Sequence, residues 1–300
     1  MTYQNDAAAG AGAPPAGRLL GAADIRRIAD EAGVSPTKKF GQNFVIDPGT
    51  VRRIVREAGV RAGDHVMEVG PGLGSLTLAI LETGARVTAV EIDPPLARRL
   101  PDTVAEFMPQ AADRLHVVVR DALDVTPDNL TDFAGDERFS LVANLPYNVA
   151  TPILLTLLER FDALDTFLVM VQKEVADRLA ATPGSKIYGT PSVKLAWYGE
   201  AQRVGTIGRN VFWPAPNVDS ALVLFRRYRE PRFEARDRRD VFALIDAAFG
   251  QRRKTLHAAL RRMVPDAAFA AAGIDPGRRG ETLTVGEFAA LARAAKEVRA

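Results

Sequence analysis

Two stretches of the chain hold residues that could do chemistry together. In "MEVGPGLGSLT", Gly70, Gly72 and Gly74 stand directly behind an apolar run and ahead of a helical pattern. Glycine there lets the backbone approach a ligand closely, and a helix N-terminus favours anionic groups. Glu91 closes the next apolar run, "VTAVEID", 21 residues after Gly70. A carboxylate at that place can accept from both hydroxyls of an adenosine ribose. Loop, strand context and acid together point to a nucleoside cofactor. Two candidates remain at this point. Nicotinamide loops usually read G-x-G-x-x-G, whereas G-x-G-x-G behind an acid such as Glu68 is common in S-adenosylmethionine sites. Asp121 ends a third run, "VVVRDAL"; it can take the exocyclic amine of a cofactor adenine or simply close a strand.

The second stretch is "LVANLPYNVATPILL", residues 141–155. Asn and Pro punctuate strand ends routinely, so Asn144-Leu145-Pro146-Tyr147 has a plain structural reading. It has a chemical one beside a methyl donor. The N6 amine of adenine is a poor nucleophile because its lone pair is delocalised into the ring. The Asn144 carboxamide oxygen and the Leu145 carbonyl can accept its two N–H hydrogens and so free the lone pair. Pro146 stiffens the turn, and Tyr147 offers a face for an extruded base. No ionised general base is needed; catalysis would be positioning plus electrostatics.

The elements that must hold these groups follow from periodicity. From residue 65, β-branched runs ("HVMEVG", "RVTAVEI", "LHVVVRD", "FSLVAN", "TFLVMVQ") alternate with helical patterns over 75–83, 94–108 and 151–161. Strands apolar on both faces, interleaved with helices, predict a parallel sheet covered on both sides. Ligands of such sheets sit at the carboxyl ends of the strands. A helix over 175–181, a loop at "TPGSKIYGTP" and two further strands, "QRVGTIG" and "SALVLFRR", complete the body. From about Asp237 the pattern is helical. The expected fold is α/β, with a disordered extension over 1–21, a body over 22–227 and a small all-helical domain over 228–300. Trp197 and Trp213 read as packing residues.

Bulk properties narrow the function classes. Hydrophobic residues make up 47% and charged residues 25%, enough for a sizeable core. There is no cysteine and only three histidines, which excludes disulfides, thiolate chemistry and a multi-histidine metal centre, and suits a reducing cytoplasm. No apolar run is long enough for a membrane span, and the Ala/Gly/Pro-rich start lacks the features of a secretion signal. Residues 226–300 carry 17 Lys and Arg against 10 Asp and Glu, a net of +7. The rest carries 22 against 27, a net of −5. A basic end behind an acidic body suggests a polyanionic partner, although arginine, 32 of the 39 basic residues, also reflects composition bias. Within "QRRKTLHAALRR", Arg252, Arg253 and Lys254 are expected to open a helix. The dipole disfavours cations there, so phosphate contact accounts for them better.

Seven motifs in order, "KKFGQNFVID", "EVGPGLGSLT", "VEID", "RDAL", "NLPYNVATPIL", "FWPAPNVDSALV" and "FGQRRKTL", give a specific resemblance running from about Ser35 to the C-terminus. The sequence resembles the ribosomal RNA adenine N6,N6-dimethyltransferase family, in its bacterial small-subunit branch. The resemblance implies a Rossmann-like, S-adenosylmethionine-dependent methyltransferase fold with a helical C-terminal RNA-binding domain. It implies dimethylation of two adjacent adenines in a hairpin near the 3′ end of 16S rRNA. The partner would be small-subunit rRNA or a pre-30S particle, and the enzyme a cytoplasmic monomer without a metal. It also implies that Gln42, Asn43 and Val45 line the cofactor pocket, with Gly70 and Gly72 at the methionine part, Glu91 at the ribose and Asp121 at the adenine. Asn144 would stand where cofactor and acceptor amine meet, and Phe212 would be a second aromatic on the target base. The branch often carries Leu where Val45 stands, and the first 34 residues lie outside the family core. The rival readings are a large-subunit rRNA methylase of the macrolide-resistance type, a non-catalytic assembly factor on the same fold and, weakest, a nicotinamide oxidoreductase, which gives Asn-Leu-Pro-Tyr no role.

Overall fold

A computed structural model describes residues 17–34, 43–133, 135–146 and 148–299. Each alternating run becomes a strand of one seven-stranded sheet: β2 (His65–Val69), β3 (Arg86–Glu91), β4 (Leu115–Val119), β5 (Phe139–Asn144), β6 (Leu164–Gln172), β7 (Gly199–Ile207) and β9 (Ser220–Arg227). The spatial order is β4-β3-β2-β5-β6-β9-β7. The chain builds outward from β2 to β4, then returns to β2's other side with β5. That reversal places a crevice between the carboxyl ends of β2 and β5, where α/β sheets bind ligands. The parallel sheet expected from the five alternating runs is found in β2 to β6. β9 runs antiparallel between β6 and β7; the connection from β7 back to β9 carries β8 (Phe212–Trp213) and no crossover α-helix.

Period-two burial splits the core into two layers. Leu141, Ala143, Phe167, Val169 and Val171 face one side, and Val142, Leu168 and Met170 the other. The second side is covered by α1 (Ala22–Glu31), α2 (Pro48–Ala58), α3 (Ser75–Glu82) and α4 (Pro94–Phe107). The first is covered by α5 (Ala150–Arg160), α6 (Lys173–Leu179) and α7 (Thr190–Leu195) and, in the same continuous cluster, by α8 (Arg238–Gly250), α9 (Leu256–Leu260), α10 (Asp266–Ala271) and α11 (Val285–Glu297).

Two boundaries differ from expectation. Residues 17–21, assigned by composition to a disordered extension, are packed: Leu19 and Leu20 are buried, and the Arg18 N–H donates to the Phe107 carbonyl at 3.0 Å. The apolar pair Leu19-Leu20 outweighs its small-residue surroundings. Residues 1–16 lie outside the described residues. At the other end, Arg252, Arg253 and Lys254 do not open a helix. They occupy a turn directly behind the C-terminus of α8, and α9 begins only after Thr255, whose hydroxyl accepts the Ala258 N–H at 3.3 Å. A helix C-terminus favours cations, so part of their charge has a local account.

Candidate active site

The glycine loop is shaped by its backbone. Gly70 and Gly72 take φ of +70° and +58°, values that side-chain-bearing residues rarely adopt. At Gly72 a Cβ would also fall 2.9 Å from the Phe44 ring. Phe44 belongs to β1 (Phe44–Val45), a two-residue strand paired antiparallel with β8 (Phe212–Trp213). Ser75, the first residue of α3, ties that strand to the loop by donating its Oγ hydrogen to the Val45 carbonyl at 2.7 Å. The Gly70 N–H donates to the Val90 carbonyl at 2.9 Å, fixing the loop against the neighbouring strand.

Glu91 ends β3 only 4% exposed. One carboxylate oxygen accepts the Gly72 N–H at 3.2 Å and the other the Asp93 N–H at 3.0 Å. Burial raises its pKa, against the pull of those backbone donors. A carboxylate has about four acceptor positions, so the backbone donors leave acceptor capacity for a ribose diol. Asp121 follows β4 and spends one oxygen on the Leu123 N–H at 2.8 Å, capping the next turn. The ordinary strand-end role is therefore real, and the same side chain still borders the cleft.

Asn144 is the last residue of β5. Its Nδ2 donates to the Asn43 carbonyl at 3.1 Å. This bond sets the orientation of the carboxamide and leaves Oδ1 as the acceptor on the cleft side. The Leu145 N–H donates to the Met170 carbonyl at 3.1 Å, and the Val149 N–H to the Pro146 carbonyl at 3.2 Å, so the turn is held from both sides.

These residues meet in one cleft of about 220 Å³. Asn43, Val45, Gly70, Gly72, Glu91 and Asp121 line it, and so do Asn144, Leu145 and Pro146. Gln42 and Tyr147 lie outside the described residues. Phe212 lies in β8 itself, paired with Val45 of β1, and is 3% exposed. Its alternation in "FWPAP" turns it inward, while Trp213 stacks on Phe44 at 6.3 Å. Trp197 is a packing residue as expected, stacked on Phe233 at 4.7 Å.

Sequence reading treated Glu68 as part of a signature without giving it a place in the site. It is buried at the cleft wall, accepts the Thr77 hydroxyl at 2.7 Å, and is pushed up to about 8 by burial, with the Glu91 charge adding to the rise. Ile92, half exposed on the cleft wall, was missed as well. Its signal was available: an isoleucine next to a strand-end carboxylate has no sheet position left to fill.

A family model for ribosomal RNA adenine dimethylases matches residues 34–297. The chain belongs to that family. Family membership makes it an S-adenosylmethionine-dependent rRNA adenine dimethyltransferase, and the cleft fits the cofactor: a buried carboxylate with free acceptor positions beside a left-handed glycine turn. Among its relatives, the ribosomal RNA small subunit methyltransferase A of Bifidobacterium adolescentis is 77% identical over 290 residues, covering 94% of this chain and 96% of that protein. The protein of the same name from Streptomyces griseus is 60% identical over 285 residues, 93% of this chain and 96% of that one. Of solved structures, the 23S rRNA methyltransferase ErmE aligns with a TM-score of 0.64 at 27% identity, over 85% of this chain and all of that one. A dimethyladenosine transferase from Plasmodium falciparum aligns at 0.68 and 22% identity, over 83% and 95%, a likeness of fold.

Among the described residues no group of His, Asp and Glu is arranged to hold a metal, and no helix is long and apolar enough to cross a membrane. The basic turn divides in two. Arg252 pairs with Glu281 at 2.8 Å and donates to the Lys186 carbonyl at 2.6 Å. Arg253 and Lys254 are exposed and make no ion pair among the described residues.

Proposed function

We propose that the enzyme dimethylates the N6 amines of two adjacent adenines in a hairpin near the 3′ end of small-subunit rRNA, acting in the cytoplasm as a monomer on the RNA or a pre-30S particle. The observation that carries the reading is the Asn144 carboxamide. It is anchored through Nδ2 to the Asn43 carbonyl, so its oxygen is committed as an acceptor at the mouth of the cofactor cleft. The cofactor supplies an electrophilic methyl group. Asn144 Oδ1 and the Leu145 carbonyl accept the two amine hydrogens and localise the nitrogen lone pair, and the proton leaves to solvent after transfer. Glu91 holds the ribose and Asp121 the cofactor adenine. Gln42, Asn43 and Val45 close the pocket, with Gly70 and Gly72 giving the backbone room beside the methionine part. The Ser75 hydroxyl donates to the Val45 carbonyl, which fixes the short strand that brings Val45 to the pocket. Tyr147 supplies the stacking face for the extruded base.

The division into a methyltransferase body and a helical RNA-binding end at 228–300 belongs to the same reading. Arg253 and Lys254 meet phosphate, and Arg252 braces their turn. The small-subunit target is favoured over the large-subunit one by relatives of that name at 77% and 60% identity, against 27% for the 23S enzyme. Intact Gly70, Gly72, Glu91 and Asn144 speak against a purely non-catalytic assembly factor. The test is mass spectrometry of small-subunit rRNA from cells with and without this protein. A gain of N6,N6-dimethyladenosine at two neighbouring positions is expected; no change would reject the reading.

A further inference from the structure

A second hollow of about 530 Å³ opens beside the active cleft, at the carboxyl end of the next strand. The link is direct: Asn144 of β5 is paired with Met170 of β6, and Gln172 lies two residues further along β6. Its lining includes Ile187 and Val218. Both are close to half exposed, an uncommon state for large aliphatic side chains in this protein. Its walls carry two carboxamides, Gln172 and Asn217, whose side-chain amides have no hydrogen-bond partner among the described residues. The charges around them are largely cancelled: Lys173 pairs with Asp177 at 2.6 Å, and Glu174 with Arg178 at 2.7 Å. Arg209 at the rim stands 3.8 Å from Asp219 and donates to the Asn217 carbonyl at 3.4 Å.

Two free carboxamides in a lining with two aliphatic side chains, with little net charge, do not suit a phosphate. They suit a flat neutral heterocycle with hydrogen-bonding edges. Asn and Gln are the side chains that pair in bidentate fashion with adenine, and unstacked single-stranded bases are recognised by such edge and face contacts. We propose that this hollow seats the base adjacent to the one in the active cleft, so that both members of the target pair are unstacked and held at once. Gln172 and Asn217 read its edge, Ile187 and Val218 meet its face, and Arg209 takes the flanking phosphate. The inference rests on the proposed RNA substrate and adds where the neighbouring nucleotide goes.

The experiment is a binding cycle between protein and RNA. Filter binding compares wild type with Gln172→Ala/Asn217→Ala and with Val218→Asp, each on an intact target hairpin and on hairpins lacking the base of one target adenosine or the other. On the intact hairpin both variants bind about tenfold more weakly, as for loss of one base contact. On the hairpin missing the base that occupies the hollow, wild type is weakened by a similar factor and the variants lose nothing more. Equal losses on every RNA would overturn the proposal and assign the hollow to another part of the particle, a ribosomal protein included. Unchanged binding by both variants would overturn it as well. Cofactor affinity, read by calorimetry, stays at the wild-type value if the variants are folded. Methyl transfer by wild type to the intact hairpin reports separately on the substrate reading, so its failure is distinct from failure of the cycle.

Discussion

At the scale of single residues, three side chains have separable duties. In the proposed mechanism, Asn144→Ala removes one acceptor from the amine and nothing from the RNA surface. Single-turnover transfer is therefore expected to fall about a hundredfold or more, with hairpin affinity nearly unchanged by filter binding. A variant that transfers normally at saturating RNA would remove Asn144 from the chemistry. With Glu91 as the proposed ribose ligand, Glu91→Ala takes a charged acceptor from two hydroxyls. Hydrogen bonds to charged groups contribute roughly 1.5–3 kcal/mol, so calorimetry should show S-adenosylmethionine affinity lowered about tenfold to a hundredfold. Glu68 is a case of linkage. Burial lifts its folded pKa to about 8 from an ordinary 4.5, so the folded protein holds this proton more tightly than the unfolded chain. The resulting stabilisation is complete below pH 4.5 and disappears as the pH rises through about 8. Glu68→Gln keeps an acceptor for Thr77 and cannot ionise. In urea unfolding without cofactor it should gain on the wild type as the pH is raised across that window. A difference that stays constant with pH would mean the carboxyl is not held protonated.

At the scale of elements, the sheet and its helices were legible because each run kept a clean period between turn residues. Five strands and the helices between them lie within a few residues of expectation. What escaped lacked such a signal. β1 and β8 are two residues each, too short for any period. The antiparallel insertion of β9 was hidden because strand direction leaves no mark on a both-faces-buried run. The site was more legible than the sheet edge, since its groups sit at strand ends where glycine, acid and amide punctuate the apolar pattern. The basic turn shows the cost of a misjudged boundary. With Arg252 committed to Glu281 and the turn placed at the C-terminus of α8, only Arg253 and Lys254 remain free for phosphate. Reversing both charges should lower RNA affinity and flatten its salt dependence by just under two units of slope, about 0.9 per lost contact. Cofactor affinity should not move. Parallel slopes for wild type and variant would leave the turn as a solvated surface and move the RNA track onto the methyltransferase body.

At the scale of the whole molecule, the helical C-terminus and the sheet are built as one body, although the sequence divides them at about residue 228. Trp197, next to the edge strand β7, stacks on Phe233 at 4.7 Å and meets the edge of Phe242 in α8 at 5.8 Å. Tyr188 donates its hydroxyl to the Leu283 carbonyl at 3.0 Å and packs against Phe249. Around this apolar seam Lys194 pairs with Asp246 at 2.8 Å and Arg238 with Glu159. Leu157, Phe167 and Phe225 on one side and Val241, Leu244 and Ile245 on the other belong to a single buried cluster. Domains that move freely meet through smaller and more polar surfaces than this, so the basic turn proposed to meet RNA is carried at a fixed distance from Asn144. Function gains from that rigidity, because catalysis by positioning depends on the docked base arriving in one geometry. The energetic consequence is cooperativity. Calorimetric unfolding of the full chain should give one transition whose calorimetric and van't Hoff enthalpies agree. A chain ending at residue 228 would leave Phe225, Leu157 and Trp197 facing water, and should lose the cooperative transition and expose dye-binding apolar surface. Two resolved transitions in the full chain, or a sharp one in the shortened chain, would show that the seam is a contact between independent domains.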